Sequence, residues 1–287
     1  MTAPRPQRRA RRKEPESAPT VSSEAPWRWG IHPVQEAIRA GRANRVWLAG
    51  EPPGRGRLAT IGPQAAQAGV PGTWVTREAL GQLVPGRRHQ NAAARVAPLP
   101  VLTVSELART AQRADHDPLL LALDQVQDPQ NVGAILRTAD AVAVDGVVVP
   151  ERRGAPLGGT VSRASAGALE HLTIARATNI AAALDQLKGL GFWIYGLDPR
   201  GPTTYDAADY RRPVALVVGS EGAGLRRLVA AKCDMLLRLP LLGHVESLNV
   251  AVATSVCLYH ATYRRQRDGR ETYPPPLPEG KGLKAVV

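Results

Sequence analysis

The sequence predicts an α/β protein, with a doubly wound parallel sheet preceded by a smaller α/β domain. Three observations carry that expectation. The stretch "PLLLALDQV" (118–126) is an uninterrupted apolar run, as a parallel strand buried on both faces requires. Downstream of it, short apolar runs alternate with helix-period segments, the pattern of a sheet wound with helices on both sides. Upstream, residues 27–100 repeat the alternation on a smaller scale, and residues 101–117, polar with one helix-like stretch, read as a linker.

In chain order, residues 1–26 are rich in Pro, Arg and Ser and lack periodicity, so they read as a disordered tail. From "WRWGIHPVQEAIRAG" the pattern is helical, with Ile31, Val34, Ala37 and Ile38 on one face and Gly41 as the stop. "RVWLAG" is a strand, and "LATIGPQAAQAGV", "GTWVT", "REALGQLV" and "AAARVAP" continue the alternation. In the second domain (118–267), a helix is expected from about Val132 to Ala143, then the strand "GVVVP", a Gly/Ser-rich stretch with a short helix near 162–169, and the strand "LTIAR". A helix over 179–189, the strands "FWIYGLD" and "PVALVVG", the helix "LRRLVAAK", the strand "MLLRLP" and a final helix from Ser247 complete it. Residues 268–287 read as a C-terminal tail.

Composition narrows the partners. The 37 basic residues exceed the 25 acidic ones, for a net charge of +12, a balance that points to a polyanion such as nucleic acid. Arg5, Arg8, Arg9, Arg11, Arg12 and Lys13 crowd the N-terminus with no acid among them, which suits either a solubilising extension or a sequence-blind phosphate-binding arm. No apolar run reaches the ~18 residues of a membrane span, and the N-terminus lacks a signal core, so a soluble cytoplasmic protein is expected. Cys233 and Cys257 stand apart and the six histidines are scattered, which argues against a disulfide framework or a metal site. Both cysteines read as small buried hydrophobes.

Ligands of a doubly wound sheet bind beyond the C-terminal ends of its strands, which singles out the loops after Val126, Val218 and Leu239. In "DPQNVGAILRTADA" (128–141), Asn131 is a favourable N-cap that could hold the helix start or a ligand, and Arg137 lies one to two turns on. In "LVVGSEGAGLRR" (216–227), Gly219, Gly222 and Gly224 strip side chains from a strand-to-helix turn so that backbone amides can approach a ligand. The glycines run GxxGxG rather than GxGxxG, and Leu239 occupies the place of the ribose-binding acid, so a dinucleotide site is disfavoured. Glu221 is expected to be buried among the glycines, which requires a partner: a salt bridge or a site. In "LPLLGHVESLNVAVATSV" (239–256), Glu246, Ser247 and Asn249 interrupt an otherwise core-like segment. Convergence of the three loops would gather these polar groups around one pocket.

These three stretches, in order and spacing, resemble the three motifs of the SpoU/TrmH family of RNA 2′-O-ribose methyltransferases, and "SRASAGALEHL" and "GIHPVQEAIRAG" resemble further family segments. The likeness spans about residues 29–263 and is nearest to bacterial enzymes that methylate a guanosine ribose of 23S rRNA. It implies a trefoil-knotted SPOUT methyltransferase domain behind a small L30-like RNA-binding domain, where patterning alone gives an ordinary Rossmann-like sheet. It further implies S-adenosylmethionine bound by backbone at Gly219, Leu239 and Leu248, a homodimer, and a catalytic set of Asn131, Arg137, Glu221, Ser247 and Asn249, with no metal. Glu246 stands where relatives carry a small polar residue. The competing readings are a tRNA or antibiotic-resistance methyltransferase and a non-catalytic rRNA-binding factor.

Overall fold

The computed structural model describes residues 27–222 and 224–267; the basic arm and the C-terminal tail lie outside them. The first domain runs β1 (Trp27–Trp29), α1 (Ile31–Arg39), β2 (Ala43–Ala49), α2 (Ile61–Gln67), β3 (Gly72–Val75), α3 (Arg77–Leu83) and β4 (Ala92–Val96). Its sheet is ordered β1-β4-β2-β3, with only β2 and β3 parallel. Val34, Ala37 and Ile38 of α1 pack with Ile61 and Ala65 of α2 on one face, while Leu80 and Val84 cover Trp27, Trp29 and Ala93 on the other. The WRW stretch, expected to lead into the helix, is a strand: Gly30, at φ +96°, separates it from α1.

The second domain contains β5 (Val101–Leu102), α4 (Val104–Ala111), β6 (Leu119–Leu123), α5 (Pro129–Ala141), β7 (Gly146–Pro150), α6 (Gly159–Ala164), β8 (Ile174–Ala177), α7 (Ile180–Gly189), β9 (Trp193–Leu197), β10 (Thr203–Thr204), β11 (Val214–Val218), α8 (Arg227–Ala230), β12 (Met235–Arg238) and α9 (Val250–Arg267). The order β10-β12-β9-β11-β6-β7-β8-β5 is parallel throughout. Alternate residues feed two cores, as the two-residue period of a strand dictates. Leu119, Leu121 and Leu123 meet α5 and α9, whereas Leu120 and Ala122 meet the layer of α4 and α7.

The stretch expected to be a linker is in part a structural element. Val101 and Leu102 pair with Ile174 and Ala175 at the sheet edge. Thr103 and Glu106 then form a reciprocal capping box for α4, whose Val104, Leu107, Ala108 and Ala111 are buried. Leu107 fits so closely over Gly146 that a Cβ there would lie 2.3 Å from its methyl carbon. Cys257 is buried in the core as expected, whereas Cys233 is half-buried at the edge of one; burial pushes each thiol up to about 12. Among the described residues there is no His/Cys/Asp/Glu cluster that could hold a metal and no helix long and apolar enough to cross a membrane.

Candidate active site

From β6 the chain moves outward to β7 and β8, then crosses back to β9 and returns through β11 to the other side of β6. The loops after β6 and β11 therefore leave neighbouring strands at the point where the winding reverses, where a crevice is built into the topology. Asp124, fully buried at the end of β6, fixes their relative position. Its carboxylate accepts from Arg226 Nε at 2.8 Å and from the Arg226 backbone N–H at 3.1 Å, tying the second loop to the first. Neither residue stands out in the sequence, because their partnership spans 102 positions.

The cap of α5 differs from expectation. Asp128, not Asn131, is the N-cap: its side chain accepts from the Gln130 N–H at 3.0 Å, and Pro129 occupies the first helical position, which a proline tolerates. Asn131 is thereby released from capping and sits buried in the first turn of the helix. The last helix likewise starts at Val250 rather than Ser247, because Asn249 caps it, Oδ1 accepting from the N–H groups of Ala251 (2.9 Å) and Val252 (3.3 Å). With Oδ1 so engaged, the Nδ2 amide of Asn249 donates to Asn131 Oδ1 at 2.9 Å and to Glu221 Oε1 at 2.5 Å. One side chain thus joins all three loops. Thr138 and Ser255 add a second α5–α9 tie, their hydroxyls 2.8 Å apart.

Ser247 and Arg137 are not drawn into that cluster of hydrogen bonds, and Glu221, which is, departs from expectation in another way. Glu221 is exposed rather than buried, because the turn that carries it stands out from the strand ends. Ser247 and Arg137 are exposed and form no hydrogen bond or ion pair among the described residues. Six positions on from Asn131, Arg137 points roughly 120° away around the helix axis. The segment before α9, expected to be core-like, is open: Leu242 is 98% exposed and Leu248 39%, while Leu239 packs partly against the core. Gly219 is buried, and a Cβ there would lie 2.1 Å from the Gly224 carbonyl oxygen. What this glycine makes room for is its own loop, whose Ser220 and Gly224 exchange backbone hydrogen bonds. Gly222 (φ +77°) and Gly224 (φ +66°) need the left-handed region, with open space beside both α-carbons.

The Gly/Ser-rich stretch has a role that sequence reasoning missed. Glu170, just after α6, has a fully buried side chain ion-paired to Arg28 and Arg42 of the first domain, and it accepts from Ser162 Oγ at 2.8 Å. Gly159 lets the Trp29 ring seat against α6, where a Cβ would meet it at 2.1 Å, and Gly167 (φ +95°) does the same for Glu36. His171 bonds Glu36 at 2.9 Å, and Arg163 donates to the Arg88 carbonyl at 2.6 Å. Since α6 packs on α5 through Gly133, which has no room for a side chain beside Ala164, the first domain is held against the helix that carries Asn131 and Arg137.

A basic α/β domain fixed beside a switch-point crevice defines a nucleic-acid-acting enzyme fold rather than a dinucleotide dehydrogenase. The SpoU rRNA Methylase family matches residues 118–259, and the RNA 2′-O ribose methyltransferase substrate-binding family matches residues 29–102. A Bacillus subtilis (strain 168) protein named for the TrmH family of tRNA/rRNA methyltransferases is 38% identical over 84% of this chain and 96% of its own. A crystal structure of an RNA 2′-O ribose methyltransferase superposes with a TM-score of 0.68 at 26% identity, over 83% of this chain and 88% of the other. The fold is also that of the SpoU methyltransferase AviRb from Streptomyces viridochromogenes, solved with AdoMet (TM-score 0.67, 24% identity, 83% and 90% covered). The chain belongs to the SpoU/TrmH family of RNA 2′-O-ribose methyltransferases.

Proposed function

We propose that this chain transfers a methyl group from S-adenosylmethionine to the ribose 2′-hydroxyl of a 23S rRNA guanosine in the cytoplasm. The observation that carries the proposal is Asn249, whose amide binds Asn131 and Glu221 at once and so assembles the three motif loops around one crevice. What supports a cofactor here is that Gly222 and Gly224 have open space beside their α-carbons, Leu248 is exposed and Leu239 packs only partly against the core. Bound there, S-adenosylmethionine supplies an already electrophilic methyl. What remains for the protein is to position and deprotonate a poor nucleophile.

Arg137 suits the RNA side of that task. Its guanidinium is exposed and uncommitted among the described residues, so it can grip the adjacent phosphate and stabilise the alkoxide that develops as the 2′-proton leaves. It is not the base, because a guanidinium does not give up its proton near neutral pH. Asn131, Glu221 and Asn249 act as positioning residues, and Ser247 lies at the open mouth. A homodimer is part of the proposal. Val252, Val256, Tyr259 and Tyr263 recur at helical spacing along α9, each more than a third exposed, and Leu242, Val245 and Leu248 extend that apolar stripe toward the crevice. The choice of 23S rRNA over tRNA rests on the motif resemblance.

The test is chemical. A methyl on the 2′-oxygen blocks alkaline cleavage of the neighbouring phosphodiester, so labelled cofactor and rRNA should give an alkali-resistant dinucleotide carrying the label. Arg137→Ala should lower its yield by on the order of 10²–10³-fold while S-adenosylmethionine affinity survives. Label confined to alkali-released mononucleotides would refute ribose methylation.

A further inference from the structure

A cavity of about 590 Å³ opens on the first domain, away from the crevice, where the parallel strands β2 and β3 end side by side. Gly50, Glu51, Trp74, Thr76, Arg77 and Asn91 are among its lining residues. Its shape follows from the backbone: Gly50 (φ +122°), Gln90 (φ +50°) and Asn91 (φ +63°) turn the chain sharply where the strands stop, leaving the half-buried Trp74 as an aromatic wall. Arg77, which is exposed, is the cation among the lining residues, and burial together with its nearby charge holds the His89 imidazole below its ordinary pKa. Glu51 is the one carboxylate among the lining residues.

We infer that this cavity is a subsite for one unpaired nucleotide of the substrate RNA, its base against Trp74 and its phosphate on Arg77. The inference rests on the RNA-methylation reading and locates where, within the first domain, a single-stranded part of that RNA is gripped. An aromatic wall with an adjacent arginine is what a splayed-out base and its phosphate require, since any base offers a π-face for stacking. Glu51 sets the polarity: it repels phosphate but accepts a hydrogen bond from a ring N–H or exocyclic amino group, so the base goes in and the backbone stays at the rim. The subsite is coupled to the crevice through rigid contacts. The Arg87–Asn91 loop runs from it to Arg163 of α6, and α6 packs on α5. RNA held here is thereby placed at a set distance from Arg137.

The probe is a single-stranded pentaribonucleotide with a central 4-thiouridine, added to the full-length protein. It should photocrosslink within residues 72–77, and Trp74→Ala and Arg77→Ala should each weaken its binding about tenfold, the ~1–3 kcal/mol scale of one stacked base. Arg77 is exposed, so its variant folds even if the tryptophan variant does not. Crosslinks elsewhere, unchanged affinity in both variants, or equal competition by a duplex of the same sequence would overturn the subsite. Methyl transfer to rRNA separates the two readings. If the wild type methylates and Arg77→Ala leaves its RNA dependence unchanged, the subsite fails and the reaction stands. If the crosslink depends on Arg77 but no native RNA accepts a methyl, the reaction fails and the subsite stands.

Discussion

Two polar clusters organise this molecule, and they differ in how much water they see. The Glu170 cluster joins the domains: a carboxylate with no exposed side-chain surface, two arginines almost as deeply buried, and a serine hydroxyl. The Asn249 cluster joins the motif loops with neutral amides and one exposed carboxylate at the mouth of a crevice. Buried charges cost several kcal/mol each to desolvate and are tolerated only in one geometry, so the first cluster fixes a domain orientation. An exposed amide such as that of Asn249 costs little to rearrange and still defines directions for hydrogen bonds, which suits loops that must close on ligands. The difference teaches that, of the polar set which looks like a core anomaly in the sequence, Asn249 ties the motif loops together, while the set that joins the domains is hidden in a Gly/Ser-rich stretch.

Breaking the buried cluster should have the largest effect. Glu170→Ala leaves Arg28 and Arg42 buried without their counter-charge, and burial already presses Arg42 below the ordinary guanidinium pKa. The Arg42 Nε has no hydrogen-bond partner among the described residues even with Glu170 in place. A loss of about 3–5 kcal/mol is expected in denaturant unfolding, with faster proteolysis between the domains. A loss below about 1 kcal/mol would mean that the domains are held by packing around Gly159 and Gly167 instead.

The exposed cluster should respond in the opposite sense, in activity more than in stability. Asn249→Ser keeps an oxygen to cap α9, so unfolding free energy should shift by no more than about 0.5 kcal/mol. It removes the amide that donates to Asn131 and Glu221, and misplacement of the loops should lower methyl transfer by up to about 100-fold. The fall should be in kcat, with RNA affinity little changed, since the residue positions loops and does not bind the RNA. An activity within threefold of wild type, or a loss confined to RNA affinity, would remove Asn249 from the assembly of the site.

Much of the architecture is legible in the sequence because strands buried on both faces declare themselves as short apolar runs, and β6, β7, β9 and β11 fall where "LLLAL", "GVVVP", "WIYGL" and "VALVV" stand. The three loops are legible too, since glycines and caps mark strand-to-helix turns. Finer choices are decided by contacts that no local pattern carries. Asp128 and Asn131 are equally good caps, and only Pro129 at the first helical position favours the former. Residues 101–117 read as a linker because polar residues recur through them, yet one face of α4 carries Val104, Leu107, Ala108 and Ala111 at helical spacing, a signal present in the sequence. Glu221 was expected to be buried because glycines permit close approach, but in this loop they serve left-handed turns that push it outward. Glu170 finds its arginines 142 and 128 residues away, and nothing in its neighbourhood hints at them.

The smallest effect sharpens the comparison at the edge of the domain interface, where burial is partial. Burial disfavours the charge on Glu36, but hydrogen bonds from His171 and the charge of Arg39 outweigh it and hold the carboxyl below its usual range. The hydrogen bond that His171 donates to Glu36 in turn raises the imidazole, against the cost of burial and with help from the charges of Glu36, Asp140 and Glu170. A histidine raised in the folded state stabilises the fold fully below its unfolded value near 6.5, and that contribution is lost as pH rises through the folded pKa. The depressed Glu36 behaves oppositely, its share being lost only in acid, so between neutral and mildly basic pH the histidine governs. With side chains 36% and 20% exposed, solvent screens the pair and less than about 1 kcal/mol is at stake. His171→Gln keeps a neutral donor but removes the charge. Wild type should therefore melt higher than the variant at pH 6, with the gap closing toward pH 8.5. A gap that is equal at both values would show that the imidazole contributes only its neutral hydrogen bond, and that charge at this interface is confined to the buried Glu170 cluster.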